Sequence, residues 1–406
     1  MSSESVDILI IGAGLAGLAA AVRLHEEGRE VLVLEASDAV GGRVRTDRVE
    51  GFLLDRGFQV FLDAYPVSGS LVDLVALNLH AFEPGALVWK GGRMHRIMDV
   101  FRRPAALFSS ALSPIGTPLD KLRVARLRAR LLRKPLEKIW SDPHRTTLDL
   151  LRDEGFSEGM IDDFFRGFYG GIFLEDRLET SSRMFEFTFA MFSRGAATLP
   201  AAGMQAIPDQ LASRLPPGAI RLNTPVRSLS GTHATTDTGE FAARRVILAT
   251  DGAAANQLLP HVPATHWRRA VTLSYAAPEP PFRDRLIALR GDRRGLIHHL
   301  SVPSNVAPSY APAGKALISV SVMGDADTPS LEKQVEAELL DWFGPRTESW
   351  SHLSTHRIDQ ALPVQIPGHG LPGILDGPIA VCGDHTRSAS IEGAILSGVL
   401  AAQSLA

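Results

Sequence analysis

The length, composition and charge of this chain exclude several classes of protein. Its 406 residues are 45% hydrophobic and 21% charged, which is typical of a globular protein with room for two domains and not of a disordered or fibrous one. The formal net charge of -3 gives no chain-wide basic surface, so we expect no nucleic-acid partner. The single cysteine, Cys382, excludes an intramolecular disulfide framework, a dithiol redox centre and a zinc site built on several thiolates.

The N-terminal segment has the pattern of a β-α-β unit. Residues 6–11 predict a buried strand, residues 18–27 an Ala/Leu-rich helix and residues 30–34 a second buried strand. Because both strands are continuously apolar instead of alternating, we predict a parallel sheet that is covered on both faces.

Similar elements recur later in the chain, separated by segments of a different pattern. Residues 71–192 are predicted to be mostly helical, and residues 267–323 are strand-like with proline-rich turns. Buried strands are predicted at 245–250 and 379–382, and helices at 206–214, 330–343 and 392–405. The sequence therefore predicts an α/β fold with one discontinuous nucleotide-binding domain (residues 1–75, 195–265 and 375–406) and a second, inserted α+β domain (residues 76–194 and 266–374).

A glycine-rich turn between the first strand and the first helix indicates dinucleotide binding. Gly12 permits the tight turn, Gly14 lets the backbone approach a pyrophosphate, and Gly17 lets helix and strand pack closely. Glu35 ends the second strand, where an acidic side chain binds the ribose hydroxyls of an adenosine. A carboxylate there would repel a 2′-phosphate, so NADP is disfavoured while FAD and NAD stay open.

The residues that follow resemble a known superfamily. Residues 35–43 (EASDAVGGR) are similar to the extended FAD signature of the flavin amine oxidase and phytoene desaturase superfamily. Four further segments agree and follow in the same order: LDRG at 54–57, TPV at 224–226, VILAT at 246–250, and Gly383-Asp384 with IEGA at 391–394. The resemblance implies a discontinuous Rossmann-like FAD-binding domain, an inserted α+β substrate domain and an FAD-dependent oxidoreductase activity.

The resemblance also implies which residues bind FAD. Gly42 and Arg43 would contact the pyrophosphate, Val226 would face the adenine through its backbone, and Asp384 would bind the ribitol or phosphate region. The complete set of expected cofactor-binding residues is Gly12, Ala13, Gly14, Leu15, Ala16, Gly17, Glu35, Ala36, Gly42, Arg43, Gly57, Phe58, Val226, Ala249, Gly383, Asp384, Gly393 and Ala394.

The mode of FAD binding and the route of the electrons follow from two further observations. Cys382 lies inside a predicted strand, so we interpret it as a buried core residue and expect non-covalent FAD. No second G-x-G-x-x-G follows a strand, so we predict no separate nicotinamide site. Electrons then enter from the substrate and leave to oxygen or a quinone.

The histidines offer no metal site, and the catalytic residues stay open. His298 and His299 are adjacent, so we expect their side chains to point to opposite faces of a strand, and one of them could line a substrate cavity. The candidates near the flavin are Gln59, His298 and His299.

The sequence weighs against amine oxidation without excluding it. Flavin amine oxidases usually place two aromatic rings and a lysine near the flavin, but no Phe, Tyr or Trp follows Trp350 and residues 267–277 contain no lysine. We therefore expect dehydrogenation or isomerisation of an apolar, isoprenoid or carotenoid-like substrate. The alternatives are a flavin amine oxidase and a flavin-binding protein without a substrate of its own. The candidate cavity lining, with core packing as the other interpretation, is Phe164, Phe165, Phe168, Tyr169, Phe185, Phe189 and Phe192.

The segment from Leu119 to Lys134 is rich in arginine and leucine. Leu122, Ala125, Ala129 and Leu132 recur at helical spacing, so this helix either packs on its own domain with a solvated basic face or lies on an anionic membrane surface. The sequence shows neither a signal peptide nor an apolar run long enough to cross a bilayer. We expect a cytoplasmic protein, with peripheral membrane contact as the alternative, and the oligomeric state stays open.

Overall fold

The structure is a computed structural model that describes residues 3–104, 113–292, 295–324, 330–368 and 375–405. In chain order the strands are β1 Ser3–Ile11, β2 Val31–Leu34, β3 Thr46–Val49, β4 Phe52–Asp55, β5 Phe61–Leu62, β6 Leu79–Ala81, β7 Gly85–Lys90, β8 Arg93–Met98, β9 Ala197–Pro200, β10 Ile220–Arg221, β11 Val226–Ser230, β12 His233–Thr236, β13 Glu240–Leu248, β14 Trp267–Ala277, β15 Ile287–Arg290, β16 Ile297–Ser301, β17 Ala316–Met323, β18 Ser351–Pro363, β19 Leu375–Asp376 and β20 Ile379–Val381. The α-helices are α1 Leu15–Glu26, α2 Ser68–Leu71, α3 Pro118–Arg133, α4 Leu136–Trp140, α5 Thr147–Asp153, α6 Glu158–Met160, α7 Arg166–Phe173, α8 Ser182–Arg194, α9 Ala206–Ala212, α10 Gly252–Leu258, α11 Pro303–Val306, α12 Leu331–Phe343 and α13 Ile391–Leu405.

The first sheet is built on the predicted β-α-β unit. Its strand order is β10-β2-β1-β13-β12-β11, and β20 adds to β13. β1 pairs in parallel with both β2 and β13, so that Ile8 lies opposite Val31 on one side and Arg245 on the other. Ile8 and Ile10 pack in the core that contains α1, whereas Leu9 and Ile11 pack in a separate core on the opposite face. The continuously apolar strands therefore belong to a sheet covered on both faces, as predicted.

The second sheet has seven strands in the order β18-β14-β17-β16-β15-β7-β8. Its pairs are antiparallel except for β15 with β7. Helix α12 contributes Leu331, Val335 and Leu339 to the core on one face of this sheet. The strands come from residues 85–98 and 267–363, on either side of the segments that form β9 to β13. The predicted inserted domain also includes residues 105–112, 293–294, 325–329 and 369–374, which lie outside the described residues.

The prediction that residues 71–192 are mostly helical is wrong at its beginning. Residues 79–98 form β6, β7 and β8, and β7 pairs with β8 so that Lys90 lies opposite Arg93. Gly91 and Gly92 both have positive φ, at 60° and 75°, which is the two-residue hairpin turn that a Gly-Gly pair allows. That dipeptide was the sequence signal for the hairpin.

Helix α3 confirms a helix in the basic segment but buries a different face from the one predicted. Its N-cap residue is Thr117, which forms a capping box with Asp120. Leu127 and Leu131 are fully buried, whereas Leu122 is 65% exposed. The face that packs against α8 is thus centred on Leu127 and Leu131, because neighbouring helices and not the spacing of apolar residues decide the rotation of α3. Among the described helices, none has both the length and the apolarity needed to cross a membrane.

Candidate cofactor and substrate site

The glycine-rich turn leaves backbone open where β1 meets α1. Gly12 has a φ of 105°, and a Cβ there would lie 2.7 Å from the carbonyl oxygen of Ala249. A Cβ on Gly17 would lie 2.0 Å from the carbonyl oxygen of Gly12, so Gly17 serves the packing of helix on strand. A Cβ on Gly14 would meet no atom within 4 Å, and one on Gly42 would meet only the Cα of Gly14 at 3.4 Å. Gly14 and Gly42 therefore keep a space free beside the backbone.

Glu35 fixes the shape of this turn. Its Oε2 accepts a hydrogen bond from the backbone N–H of Ala13 at 2.7 Å, and its Oε1 accepts bonds from the backbone N–H and the hydroxyl of Ser37 at 2.9 and 2.7 Å. The carboxylate thereby ties the end of β2 to the beginning of α1. The backbone N–H of Ala13 is used in this hydrogen bond to Glu35, and Ala13 does not line the cavity described next. Ala13 therefore stabilises the turn.

One cavity of about 1020 Å³ extends from this turn to the helical part of the chain. Fifteen of the expected cofactor-binding residues line it: Gly12, Gly14, Leu15, Ala16, Glu35, Ala36, Gly42, Arg43, Gly57, Phe58, Val226, Ala249, Gly383, Asp384 and Ala394. The other three, Ala13, Gly17 and Gly393, lie behind the wall. A Cβ on Gly393 would lie 1.9 Å from the carbonyl oxygen of Ser388, so this glycine permits a close approach of two backbone segments.

Arg43 and Asp384 form an ion pair on the cavity wall, although they are far apart in sequence. The guanidinium lies 2.5 Å from the carboxylate, donates to the carbonyl of Ala361 at 3.1 Å, and stands 5.2 Å from the ring centre of Trp267. Burial alone would lower the pKa of Arg43, but the neighbouring carboxylate of Asp384 raises it on balance. Arg43 therefore keeps its positive charge beside the open backbone of the turn.

The residues of this end of the cavity fit FAD. Helix α1 has no side-chain cap at Gly14 and no acidic residue in its first turn, so its first N–H groups are free to meet an anion. Gly14 and Gly42 leave room for a pyrophosphate, and Arg43 supplies a positive charge. Glu35 presents its carboxylate at the end of β2, where a ribose is held in dinucleotide sites.

Two of the three catalytic candidates line the cavity. Gln59 donates from Nε2 to the carbonyls of Arg43 and Arg56 at 2.9 and 3.2 Å, and its Oε1 is buried without a partner among the described residues. His299 also lies on the wall, whereas His298 lies behind it. The expectation that the two histidines face opposite ways is wrong, because their Nδ1 atoms are only 3.2 Å apart.

The other end of the cavity is aromatic. Five of the predicted lining residues lie on its wall: Phe164, Phe168, Tyr169, Phe189 and Phe192. Phe165 and Phe185 are fully buried in the core, so for these two the interpretation as core packing is correct. Phe168 makes ring contacts with Phe164 and Phe192 at centroid distances of 5.6 and 5.3 Å.

Other lining residues were missed from the sequence. Phe82 and Phe101 lie on the wall next to β6 and after β8, together with Lys121, Val124 and Arg128 of α3. Their positions follow from the β7–β8 hairpin and from the rotation of α3, neither of which we predicted. The Gly91-Gly92 turn was the local signal for the hairpin. No local signal indicates the rotation of α3.

Residues 15–406 match the sequence profile of the flavin-containing amine oxidoreductases. The chain belongs to this family. Membership confirms the predicted FAD-dependent oxidoreductase of the amine oxidase superfamily, with FAD as cofactor. Cys382 lies in the buried core, where burial raises the pKa of its thiol to about 12, so the one cysteine of the chain is no site for attaching the flavin and FAD is held non-covalently.

Individual relatives differ in what they act on. Over 144 residues the chain is 30% identical to coproporphyrinogen III oxidase of Propionibacterium freudenreichii subsp. freudenreichii, covering 36% of this chain and 24% of that protein. Over 278 residues it is 26% identical to L-amino-acid oxidase of Crotalus adamanteus, covering 63% of this chain and 53% of that protein. The matched part thus spans about a quarter to a half of these curated relatives.

Solved structures share the fold across the whole length. An oxidoreductase from Methanosarcina mazei superposes with a TM-score of 0.76 at 20% identity, covering 98% of this chain and 100% of that one. The similarity confirms the predicted α/β FAD-binding architecture.

Proposed function

We propose that this enzyme removes a hydride from a carbon of a large, mainly apolar substrate. The observation that carries the proposal is the single cavity that joins the FAD-binding turn to a wall of five aromatic side chains. An isoprenoid or carotenoid-like chain fits such a wall, and so does a porphyrinogen, the class named for one curated relative. In this proposal residues 1–75, 195–265 and 375–406 bind FAD, and residues 76–194 and 266–374 bind the substrate.

The reaction balances with two electrons. The substrate loses one hydride and one proton and gains a double bond, and the proton is released to the bulk solvent. Bound FAD would supply the two-electron acceptor for this hydride, and dioxygen or a quinone would serve as the final acceptor. The chain's own contribution is orientation and exclusion of water: Phe168 and Phe192 pack over the substrate space, while Arg43 and the open backbone at Gly14 and Gly42 hold the phosphates.

Oxidation of an amine is the second candidate. The family description and the L-amino-acid oxidase relative favour it. Against it, β14 contributes Ala270 and Thr272 to the wall, the strand contains no lysine, and no aromatic residue follows Trp350. The C-terminal part of the chain therefore contributes no aromatic ring to a cage around an amine.

The test is anaerobic reduction of the bound flavin by a panel of compounds. We expect loss of the oxidised flavin absorbance with phytoene in detergent or with coproporphyrinogen, and no loss with benzylamine, putrescine or L-leucine. Rapid reduction by an amine alone would replace the proposal by the second candidate. Reduction by dithionite only would indicate a flavin-binding protein without a substrate.

A matched pair of variants on α8 tests the aromatic wall. Phe189 lines the cavity, whereas Phe187, two residues before it, is buried against Tyr65 and Trp140. We expect Phe189→Leu to slow reduction by the active compound and Phe187→Leu to leave its rate unchanged. Equal effects of the two variants would show that general stability and not the wall is responsible.

We also propose that α3 contacts a lipid surface. Leu119 and Leu122 are 52% and 65% exposed on the same side as Arg126, while Val124 and Arg128 line the cavity on the opposite side. A helix that meets lipid on one side and the cavity on the other would admit an apolar substrate from the membrane. Arg130 and Lys134 form ion pairs with Glu186, which compensate part of the positive charge of the helix. We therefore expect the exposed leucines to contribute most of the binding free energy to lipid.

A further inference from the structure

Two arginines from different elements meet at the C-terminal end of α8. Arg102, in the turn after β8, donates from Nη1 to the carbonyls of Phe192 and Gly195 at 3.4 and 2.7 Å. Arg128 of α3 donates from Nη2 to the carbonyl of Ser193 at 3.1 Å. The last carbonyls of a helix have no partner within the helix, which explains why donors gather there. Because the three acceptors belong to one short stretch of chain, the two guanidinium groups lie close together.

Both arginines lie on the wall at the aromatic end of the cavity. Phe192, whose carbonyl binds Arg102, lines the cavity as well. The ring centre of Phe101, another wall residue, stands 5.1 Å from the guanidinium carbon of Arg128. Phe101 is 51% exposed and Arg102 is exposed too, so this part of the wall reaches the surface of the described chain. A ligand at this place therefore meets apolar and basic groups side by side.

The carboxylates on this part of the wall do not balance the two arginines. Oδ2 of Asp99 lies 3.9 Å from Nε of Arg128, which is close enough for an ion pair but too far for a hydrogen bond. Glu83, the other acidic wall residue at this end, pairs with Arg103 at 3.4 Å. Arg102 forms no ion pair with any carboxylate in the described residues. One carboxylate thus faces two guanidinium groups.

A third cation lies on the same side of α3. Lys121, Val124 and Arg128 follow one another at three- and four-residue spacing, and all three line the cavity. Nζ of Lys121 donates to the carbonyl of Ser113 at 3.0 Å, and Asp120 attracts the same ammonium group. Most of the excess positive charge therefore belongs to the arginines. Positive charge beside an apolar wall of low dielectric constant attracts an anion.

We propose that Arg102 and Arg128 bind a carboxylate of the substrate at the outer end of the cavity. Their bonds to α8 use Nη1 of Arg102 and Nη2 of Arg128, and the other Nη atom of each donates to no described residue. Charge-assisted hydrogen bonds from a guanidinium are a common way for proteins to hold a carboxylate. The inference rests on the proposed function, because it concerns the substrate of the same cavity.

The position of the two arginines limits the shape of the substrate. Its acid group would lie at the exposed end, where the charge keeps part of its hydration, and its apolar part would lie along Phe168 and Phe192 toward the FAD-binding turn. The substrate class thereby narrows from any large apolar molecule to one that carries a carboxylate away from the oxidised carbon. A neutral hydrocarbon would leave the two positive charges without an anion.

A matched pair of probes tests the requirement for a carboxylate. Decanoate and 1-decanol have apolar chains of the same length and differ in charge, and calorimetric titration of the holoenzyme measures the dissociation constant of each. At low ionic strength we expect decanoate to bind about 10-fold more tightly or better, because hydrogen bonds between charged groups are the stronger ones. The preference should decrease with added salt, since partly exposed charges are screened. Equal affinities, or no binding of decanoate, would overturn the proposal.

Substitution of the arginines tests which residues bind the acid group. We expect Arg102→Gln and Arg128→Gln each to remove most of the preference for decanoate and to leave the affinity for 1-decanol unchanged. Arg102→Lys, which keeps the charge but not the planar group, should retain part of the preference. Arg103→Gln is the matched control, because Arg103 follows Arg102 directly but does not line the cavity, and it should keep the preference. A preference that persists in both glutamine variants of the wall would refute the assignment.

The binding measurements are independent of turnover, since neither titration involves electron transfer. Absence of a preference for decanoate refutes the carboxylate site and leaves hydride removal from another apolar substrate open. Failure of every compound in the reduction panel refutes the proposed function and leaves the measured affinities as they are. The two failures are therefore distinguishable.

Discussion

Glu35 is one of the residues that we propose to bind FAD. It binds Ala13 and Ser37 through both carboxylate oxygens and lines the cavity beside the glycine-rich turn. We predict that Glu35→Ala weakens FAD binding by about 1 to 3 kcal/mol, the usual cost of losing hydrogen bonds to a charged group. Titration of the apoprotein with FAD, followed by flavin fluorescence, measures this. Glu35→Gln keeps one oxygen for the Ala13 N–H and should bind FAD with an intermediate affinity, whereas equal affinities for all three proteins would contradict the assigned role.

Asp55 is a second residue with a measurable consequence. At the end of β4 it accepts hydrogen bonds from the hydroxyl of Thr46 at 2.5 Å, the backbone N–H of Met204 at 3.0 Å and the phenol of Tyr310 at 2.8 Å. Burial nevertheless raises the pKa of its carboxyl to about 6. The folded protein thus binds this proton more tightly than the unfolded chain, in which the pKa is about 3.9.

The sign of the resulting pH dependence is fixed by that difference. The stabilising contribution of protonated Asp55 is complete below about pH 4 and is lost as the pH rises through about 6. The difference between the two pKa values corresponds to a loss of about 3 kcal/mol of unfolding free energy. We predict that the stability of Asp55→Asn relative to the unsubstituted protein increases between about pH 4.5 and 7, because the amide does not titrate. Thermal unfolding of both proteins at several pH values measures the difference. A difference that stays constant with pH would show that Asp55 titrates normally.

At the scale of elements, the three sides of α3 lie in different surroundings. Leu127 and Leu131 face the core, Val124 and Arg128 face the cavity, and a third side exposes leucines. Amphipathic periodicity predicts that a helix has an apolar face, but it does not distinguish a buried face from an exposed one.

The exposed side of α3 gives a prediction about membranes. We expect the double replacement of Leu119 and Leu122 by serine to lower the affinity for liposomes, measured by sedimentation, by about tenfold or more. The reason is that burying each leucine in lipid contributes about 1.5 to 3 kcal/mol to binding. Val75 is 89% exposed outside this helix, and Val75→Ser is the matched control that should leave sedimentation unchanged. Binding should also rise with anionic lipid and fall with salt, because Arg126 and Arg133 lie on the same side. Equal sedimentation of both variants would exclude this contact.

At the scale of the whole molecule, one nucleotide fingerprint sets the route of the electrons. The G-x-G-x-x-G of residues 12–17 stands directly between β1 and α1, whereas a second such run, at residues 368–373, is followed by strand β19 and not by a helix. The cavity joins the first of these sites directly to the aromatic wall. We therefore predict that NADH and NADPH leave the flavin oxidised on the timescale of turnover, because we expect no second dinucleotide site that would bring a nicotinamide to it. Anaerobic stopped-flow mixing checks this, with dithionite as the positive control. Rapid stoichiometric loss of flavin absorbance with either nucleotide would contradict the prediction.

The sequence by itself determined the parts of this protein that depend on local pattern. The turn at Gly12, Gly14 and Gly17 needs only a strand, three glycines and a helix in succession, and continuous apolar runs suffice to predict parallel strands buried on both faces. Most of the expected cofactor-binding residues consequently lie on one cavity wall. The β7–β8 hairpin also depends on a local pattern, the Gly91-Gly92 pair, although residues 71–192 are predicted to be mostly helical.

Only the tertiary structure decided the contacts between distant or irregular segments. Arg43 meets Asp384 across 341 positions, and no spacing rule relates a residue in the turn before β3 to one that follows β20. His298 and His299 share a side only because β16 pairs irregularly with β17, and a regular strand would separate them. Which side of α3 is buried was settled by its packing against α8. In each case the contact is made with partners that the local sequence does not encode. The fold, the cofactor and five of the aromatic residues on the cavity wall were therefore predictable, whereas the lining residues from β6 to β8 and from α3 were not.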